Sequence, residues 1–444
     1  MNKSNFIFNN NTQAFIIFIL FIYSFIYMTG QLSTPYIRHD DWEYMTYLLP
    51  DMPHHGTPLD KTLWEGRWVN YLWSFIARDF LVNTNYLLFI IGYSLFCWTI
   101  GMSFATGIFS RFLISLIAFF CPAYVDLSFW PATLTPSVWI AFFLLLFNYF
   151  CKNKLYIFPI MITFAILIMS YAPLISVCFL LLTLDSRRTV NDNIKLSITY
   201  YVGYLLGVIF VYILNYKYHG FLGVKIADWR HPNPIHSFDN VIENTQKTIF
   251  FFKDLISNNI GSILISSILM ILLFNEGHKK QVITFIGSMF LVISLESALS
   301  IYTGVDIPDR SLIWPWYFFL SVIILTFRFA STVKLILATV LILTLLYTGM
   351  ERWYGFYTYE SKHARFENVL GGILKTQDQE QVYICGDTKN IKGLGNRELK
   401  ALTLSIWKKD GIYLKQGDEK ECSLLSDKSL GLHKINEKTF YKLY

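Results

Sequence analysis

Charge is scarce in this chain. Lys, Arg, Asp and Glu supply 15% of its 444 residues, against roughly 25% in a soluble globular domain. That shortfall excludes an ordinary soluble enzyme, because the hydrophobic 54% is gathered into long blocks, the pattern of a polytopic membrane protein. No Walker A sequence, Gly-rich dinucleotide loop or Cys/His zinc spacing occurs, so neither a nucleotide fold nor a zinc module is expected. No internal repeat and no low-complexity linker is visible. Nor does the net charge of +6 point to nucleic acid: much of it falls in short segments between apolar blocks, where it sets orientation.

Cysteine is also sparse, with six residues. Cys97, Cys121, Cys151 and Cys178 lie in or beside apolar blocks and read as small apolar fillers. Cys385 and Cys422 fall in the polar C-terminal region and are free to pair if it faces an oxidising compartment. The first apolar block, 14–30, lacks a strongly basic start and an A-x-A-like cleavage site, so it reads as a retained span.

Further blocks follow at 85–109, 112–124, 132–150, 196–215, 255–274, 282–301, 312–327 and 335–350. The block 155–184 is too long for one ordinary span and too short for two, and Pro173 lies near its middle. Arg111, Lys152/Lys154, Arg187/Arg188 with Lys195, Lys279/Lys280, and Arg328 with Lys334 occupy five separate connections. Placing all five on the cytoplasmic side requires block 155–184 to enter and leave on one side, as a hairpin turning near Tyr171-Ala172-Pro173. Non-helical backbone at that depth needs protein or a water-filled cavity around it.

The expected fold is therefore an all-α polytopic membrane protein with about 10–11 transmembrane helices, including the short hairpin. Residues 1–350 form the membrane module, with outside loops at 31–84 and 216–254. Residues 351–444 form a small outside α/β domain, because helical spacing at 366–375, a buried strand at 381–387, a helix at 399–407 and a strand at 411–414 alternate.

With this parity the polar chemistry collects on the outside. Asp40 and Asp41 follow the first span at once, and Trp42 and Tyr44 suit an interfacial depth. Adjacent carboxylates raise the pKa of at least one of them, while Arg38 and His39 pull the other way, so either acid is a candidate general base. They could also ligate a divalent cation. Glu43 is a further candidate for sugar or phosphate contact. Arg67, in Gly66-Arg67-Trp68, offers a planar fork for phosphate or sugar, or simply snorkels beside an aromatic. Arg310 starts a span at the depth of a lipid phosphate and could neutralise a leaving group, or pair with Asp306 or Asp309; those two acids could instead touch sugar hydroxyls. Arg230 and His231 are the weakest candidates. Trp130 and Trp139 flank Pro131 and Pro136 and read as interfacial packing.

A first span followed by Asp40-Asp41 in a long outside loop resembles the GT-C class of membrane glycosyltransferases. Gly66-Arg67-Trp68 farther along that loop is similar to the bacterial and phage serotype-converting O-antigen glucosyltransferases. The re-entrant segment and the outside tail fit the same plan. The resemblance implies transfer of glucose from undecaprenyl-phosphate-glucose to a lipid-linked O-antigen, at the periplasmic face of the bacterial inner membrane, with the N-terminus cytoplasmic and no nucleotide cofactor. Other readings are a flippase or transporter of lipid-linked sugar, or an O-antigen polymerase. A transporter predicts ionisable residues deep in the spans and a two-fold repeat; Glu296 is the main such residue.

Overall fold

A computed structural model describes residues 3–47, 56–151, 156–376, 380–386, 399–435 and 437–443, with only the backbone described for 3–10. Lys152, Lys154 and Asp387 lie outside these residues.

The chain opens with α1 (Lys3–Met28). The first loop carries α2 (Trp42–Met45), α3 (Pro58–Glu65) and α4 (Trp68–Ala77). Then come α5 (Val82–Phe104), α6 (Ile108–Phe119), α7 (Pro122–Leu127), α8 (Pro131–Phe150), α9 (Ile157–Tyr171), α10 (Pro173–Thr183) and α11 (Val190–His219). The bundle ends with α12 (Phe238–Asn258), α13 (Ile260–Asn275), α14 (Lys279–Thr303), α15 (Trp314–Arg328) and the 44-residue α16 (Thr332–Lys375). Among the described residues seven helices are long and apolar enough to cross a membrane, or eight if the bent pair α12–α13 counts as one span. Leu20, Leu205, Ile213, Ile268 and Leu343 are exposed on these helices, as suits a bundle surrounded by lipid.

One expected crossing, α6, is shorter than a full span, and the hairpin arms α9 and α10 are short as well. Pro122 prevents α6 from continuing into α7 as one helix. The carbonyls freed there are buried, and aromatic side chains satisfy them. The Tyr93 hydroxyl donates toward Ala118 and Phe119 at 2.9 Å each, and indole N–H groups of Trp316 and Trp353 donate to Ile117 and Cys121. Unpaired carbonyls at this depth would be costly.

The expected span 255–274 is also redrawn. Its first residues belong to α12, which bends by 84° into α13. Much of the second loop is thus helical. Ser237 caps α12, and the Asn244 amide on its first turns ties it to the carbonyls of Asn233 and Ile301.

Helices α9 and α10 break at Ala172-Pro173, and both arms start and finish at one end of the bundle. Tyr156, just before α9, lies 5.2 Å under the Arg188 guanidinium. Leu184, just after α10, accepts from Arg328. The turn between the arms reaches the opposite end, where the Tyr171 hydroxyl donates to the Arg310 carbonyl.

Helix α16 runs unbroken past residue 350, for about 66 Å at 1.5 Å per residue, and its last turns pack on the tail. There β1 (Gln381–Cys385), α17 (Leu399–Asp410), β2 (Tyr413–Gln416), α18 (Glu419–Ser423), β3 (Gly431–Ile435) and β4 (Lys438–Lys442) follow. The sheet order is β2-β1-β4-β3; β1 pairs parallel with β2 and β4, and β3–β4 is antiparallel. A disulfide joins Cys385 to Cys422.

Candidate active site

The two adjacent acids point in different directions. Asp41 is fully buried. Its carboxylate accepts from the backbone N–H of Ala132 at 2.9 Å and of Thr133 at 2.8 Å, and from the Thr133 hydroxyl at 2.5 Å. Those amides open α8 and lack partners within it, so Asp41 caps α8 from another segment. Burial pushes this carboxyl up, to about 7, against the pull of these donors.

Asp40 instead faces a cavity. The Lys61 ammonium lies 2.6 Å from one oxygen, the Trp130 indole N–H donates to the other, and the His39 ring lies at 3.8 Å. Burial alone would raise this carboxyl. Lys61, with His39 and the Trp130 bond, outweighs that and holds it well below the usual carboxylate range. Lys61 is carried by α3, which starts with a Thr57–Asp60 capping box and Pro58 at its first position, a strong local start signal.

The motif around Arg67 is a hinge between α3 and α4. Gly66 takes the left-handed conformation at φ 69°, and a Cβ there would sit 2.8 Å from Val211 of α11. Only glycine permits that close turn without strain. Trp68 then anchors α4 by donating to Asn215 at 2.9 Å. Arg67, held between them, places its guanidinium 3.2 Å from Glu65 and 5.3 Å from the Tyr171 ring centroid. Burial opposes its charge, but Glu65 more than compensates and raises its pKa.

A cavity of about 130 Å³ brings these groups together. Asp40, Glu65, Arg67, Trp130, Tyr171, Arg230, Arg310 and Ser311 are among its lining residues. Arg230 reaches Glu65 at 3.4 Å, and burial lowers its pKa. Arg310 stacks 5.2 Å from the Trp130 ring, whose other neighbour is Arg38 at 4.9 Å. Among the described residues no carboxylate lies within 4 Å of Arg310, so the alternative of an ion pair with Asp306 or Asp309 is not what is seen.

The remaining candidates lie elsewhere. Glu43 turns away to an ion pair with Lys400 of α17 at 2.8 Å. Around it Trp42, Met45 and Ala77 pack on Ala401 and Leu404, so the tail domain clamps the segment that follows Asp40-Asp41. His231 is exposed at φ 47° and does not line the cavity. Asp306 lines a neighbouring, mostly apolar cavity of about 220 Å³ that shares Pro308 and Ser311 with the first. Asp309 faces a third, of about 440 Å³, walled by Asp126, Asp254, Asn258, Trp316 and Arg352 among others. Among the described residues no group of three or more His, Cys, Asp or Glu side chains is arranged to hold a metal ion.

Sequence reasoning missed Lys61, Glu65 and Tyr171, and assigned Trp130 to packing. Glu65 directly precedes the Gly66-Arg67-Trp68 motif, so the signal was adjacent; Lys61 and Tyr171 carry none on their own. Compared with protein-family models, curated proteins and solved structures, the chain matches none.

Proposed function

We propose that this protein is a glycosyltransferase of the GT-C type, moving a hexose, glucose by its resemblance, from a polyprenyl-phosphate carrier to a lipid-linked O-antigen acceptor. The observation that carries this reading is that Asp40 shares a single small cavity with three guanidinium groups, Arg67 and Arg230, which pair with Glu65, and Arg310, which does not. An acceptor hydroxyl attacks the anomeric carbon, and Asp40 takes its proton. The bond from that carbon to the phosphate oxygen breaks, and the lipid phosphate leaves with the electron pair. The guanidinium groups stabilise its growing charge. Asp41 holds Asp40 in place by fixing the start of α8.

The adjoining cavities suit the two substrates. The mostly apolar one beside Pro308 and Ser311 can receive the start of an isoprenoid chain. The larger one, with carboxylates, amides and Trp316, offers hydrogen bonds and an aromatic face to acceptor sugars. The basic connections that carry Arg111, Arg187/Arg188 with Lys195, Lys279/Lys280, and Arg328 with Lys334 lie at the other end of the bundle, which supports a cytoplasmic location for that end and a periplasmic site and tail in a bacterial inner membrane. The Cys385–Cys422 disulfide supports the same placement.

Expressing the protein in a host with a defined O-antigen tests the reading. A new side-branch hexose in the surface glycan is expected. A changed chain length would favour polymerisation, and an unchanged glycan with altered lipid export would favour transport.

The Lys61–Asp40 pair yields a pH prediction. With Lys61 present, Asp40 stays ionised well below the ordinary carboxylate range. In Lys61→Met only His39 and the Trp130 bond are left to oppose burial, so the carboxyl binds a proton at higher pH. The acid limb of kcat/KM should therefore move to higher pH than in the wild type. An unmoved limb would remove Asp40 from the proton-transfer step.

A further inference from the structure

We propose a binding site for the phosphate of an anionic glycerophospholipid at the end of the bundle opposite Asp40. A cavity of about 310 Å³ opens there between the foot of α10, the start of α11 and the facing ends of α14 and α15. Three cations line it: Arg188, Lys280 and Arg328. Its one carboxylate, Asp185, is already engaged by the Arg187 guanidinium at 2.6 Å and by the Asn148 amide. Among the described residues no carboxylate lies within 4 Å of Arg188, Lys280 or Arg328.

The two arginines are held in place by neutral groups. Arg188 donates to the Asn148 side chain at 3.0 Å and lies over Tyr156; Arg328 donates to the Leu184 carbonyl at 2.7 Å. These contacts orient each guanidinium without pairing it to a carboxylate within 4 Å. Hydrogen bonding is also incomplete: the Arg188 Nε and the Asn193 Oδ1 are buried with no partner, and native structures rarely leave such groups unmet. A phosphate supplies acceptors for guanidinium forks, and a protonated or hydroxylated headgroup supplies a donor for the amide oxygen.

The surroundings favour a lipid as the source. Ile194 and Ile198 of α11, and Ile283 and Ile286 of α14, are exposed on the helices that border the cavity. Two acyl chains laid along them would leave the phosphate at the cavity. The excess of cations disfavours a choline headgroup, whose own positive charge would enter the same space. The site lies away from the Asp40 cavity and does not rest on the proposed reaction.

The full chain, purified in detergent, is titrated with phosphatidylglycerol, phosphatidylcholine or inorganic phosphate, with native mass spectrometry and thermal melting as readouts. Wild type should retain phosphatidylglycerol and melt at higher temperature with it, but not with phosphatidylcholine. Arg188→Gln/Arg328→Gln should bind it at least about tenfold more weakly, since two charge-assisted bonds are lost. Should that variant fail to fold, Lys280→Gln, at an exposed position, should weaken retention in the same direction. Equal retention of both lipids by the wild type, or equal retention of phosphatidylglycerol by wild type and folded variants, overturns the site. A shift with inorganic phosphate and none with phosphatidylglycerol overturns the lipid as its occupant.

Discussion

Asp40→Asn should abolish hexose transfer, with a loss of about 10²–10⁴-fold or more in kcat. The substitution keeps the shape of the side chain and removes its ability to accept a proton. It also breaks the ion pair with Lys61, a largely buried cation, and an orphaned buried charge is destabilising in its own right. The double variant Asp40→Asn/Lys61→Met separates the two effects. It should fold and insert as the wild type does, because neither charge is left unpaired, and still be inactive. Asp41→Asn should behave differently. Its amide oxygen could accept on only one side, leaving its NH2 facing either the Ala132 N–H or the Thr133 N–H, costing about 1–3 kcal/mol of stability, with activity reduced only as far as α8 and Trp130 shift. A purified double variant that folds and retains wild-type turnover would sink the mechanism.

The plan of the bundle was legible because its physics is one-dimensional. Block length and the parity of basic connections placed a hairpin at 155–184, and the structure breaks that segment at Ala172-Pro173. Where helix ends are satisfied by distant partners, the sequence was silent. Tyr93, Trp316 and Trp353 let α6 stop short, and nothing near residue 119 announces them. In the tail, β1, α17 and β2 follow from their apolar pattern. Strands β3 and β4 were missed: β3 is only partly covered along its length, so it lacks a clear alternation. The site divides in the same way. Asp40, Arg67, Arg230 and Arg310 come from three loops to line one cavity. Asp41 does not share that cavity, because consecutive side chains near a helix start project to different sides. Lys61, Glu65 and Tyr171 become site residues only when α3, α4 and the hairpin turn meet, a three-dimensional fact that no local pattern encodes.

Arg310→Ala should lower kcat by about 10²–10³-fold, the cost of removing a preorganised donor from developing charge. The three arginines around the cavity are not equivalent. Arg67 and Arg230 share Glu65, at 3.2 and 3.4 Å, so part of each charge is neutralised before any substrate arrives. Arg310 has no such partner among the described residues, and its guanidinium rests on the Trp130 ring, which itself donates to Asp40. One indole thus sets the spacing between the proton acceptor and the cation that meets the leaving phosphate. Arg310→Lys keeps the charge but loses the fork and the flat stacking surface, so it should recover only part of the loss. Arg67→Ala and Arg230→Ala should act more on donor KM, since the Glu65 they leave behind repels a phosphate already in the ground state. Steady-state kinetics with separate donor and acceptor titrations resolve the three. If Arg310→Ala raised donor KM and left kcat intact, its charge would be holding the substrate and not its departing phosphate, and the leaving group would have to be stabilised from the Glu65 side of the cavity.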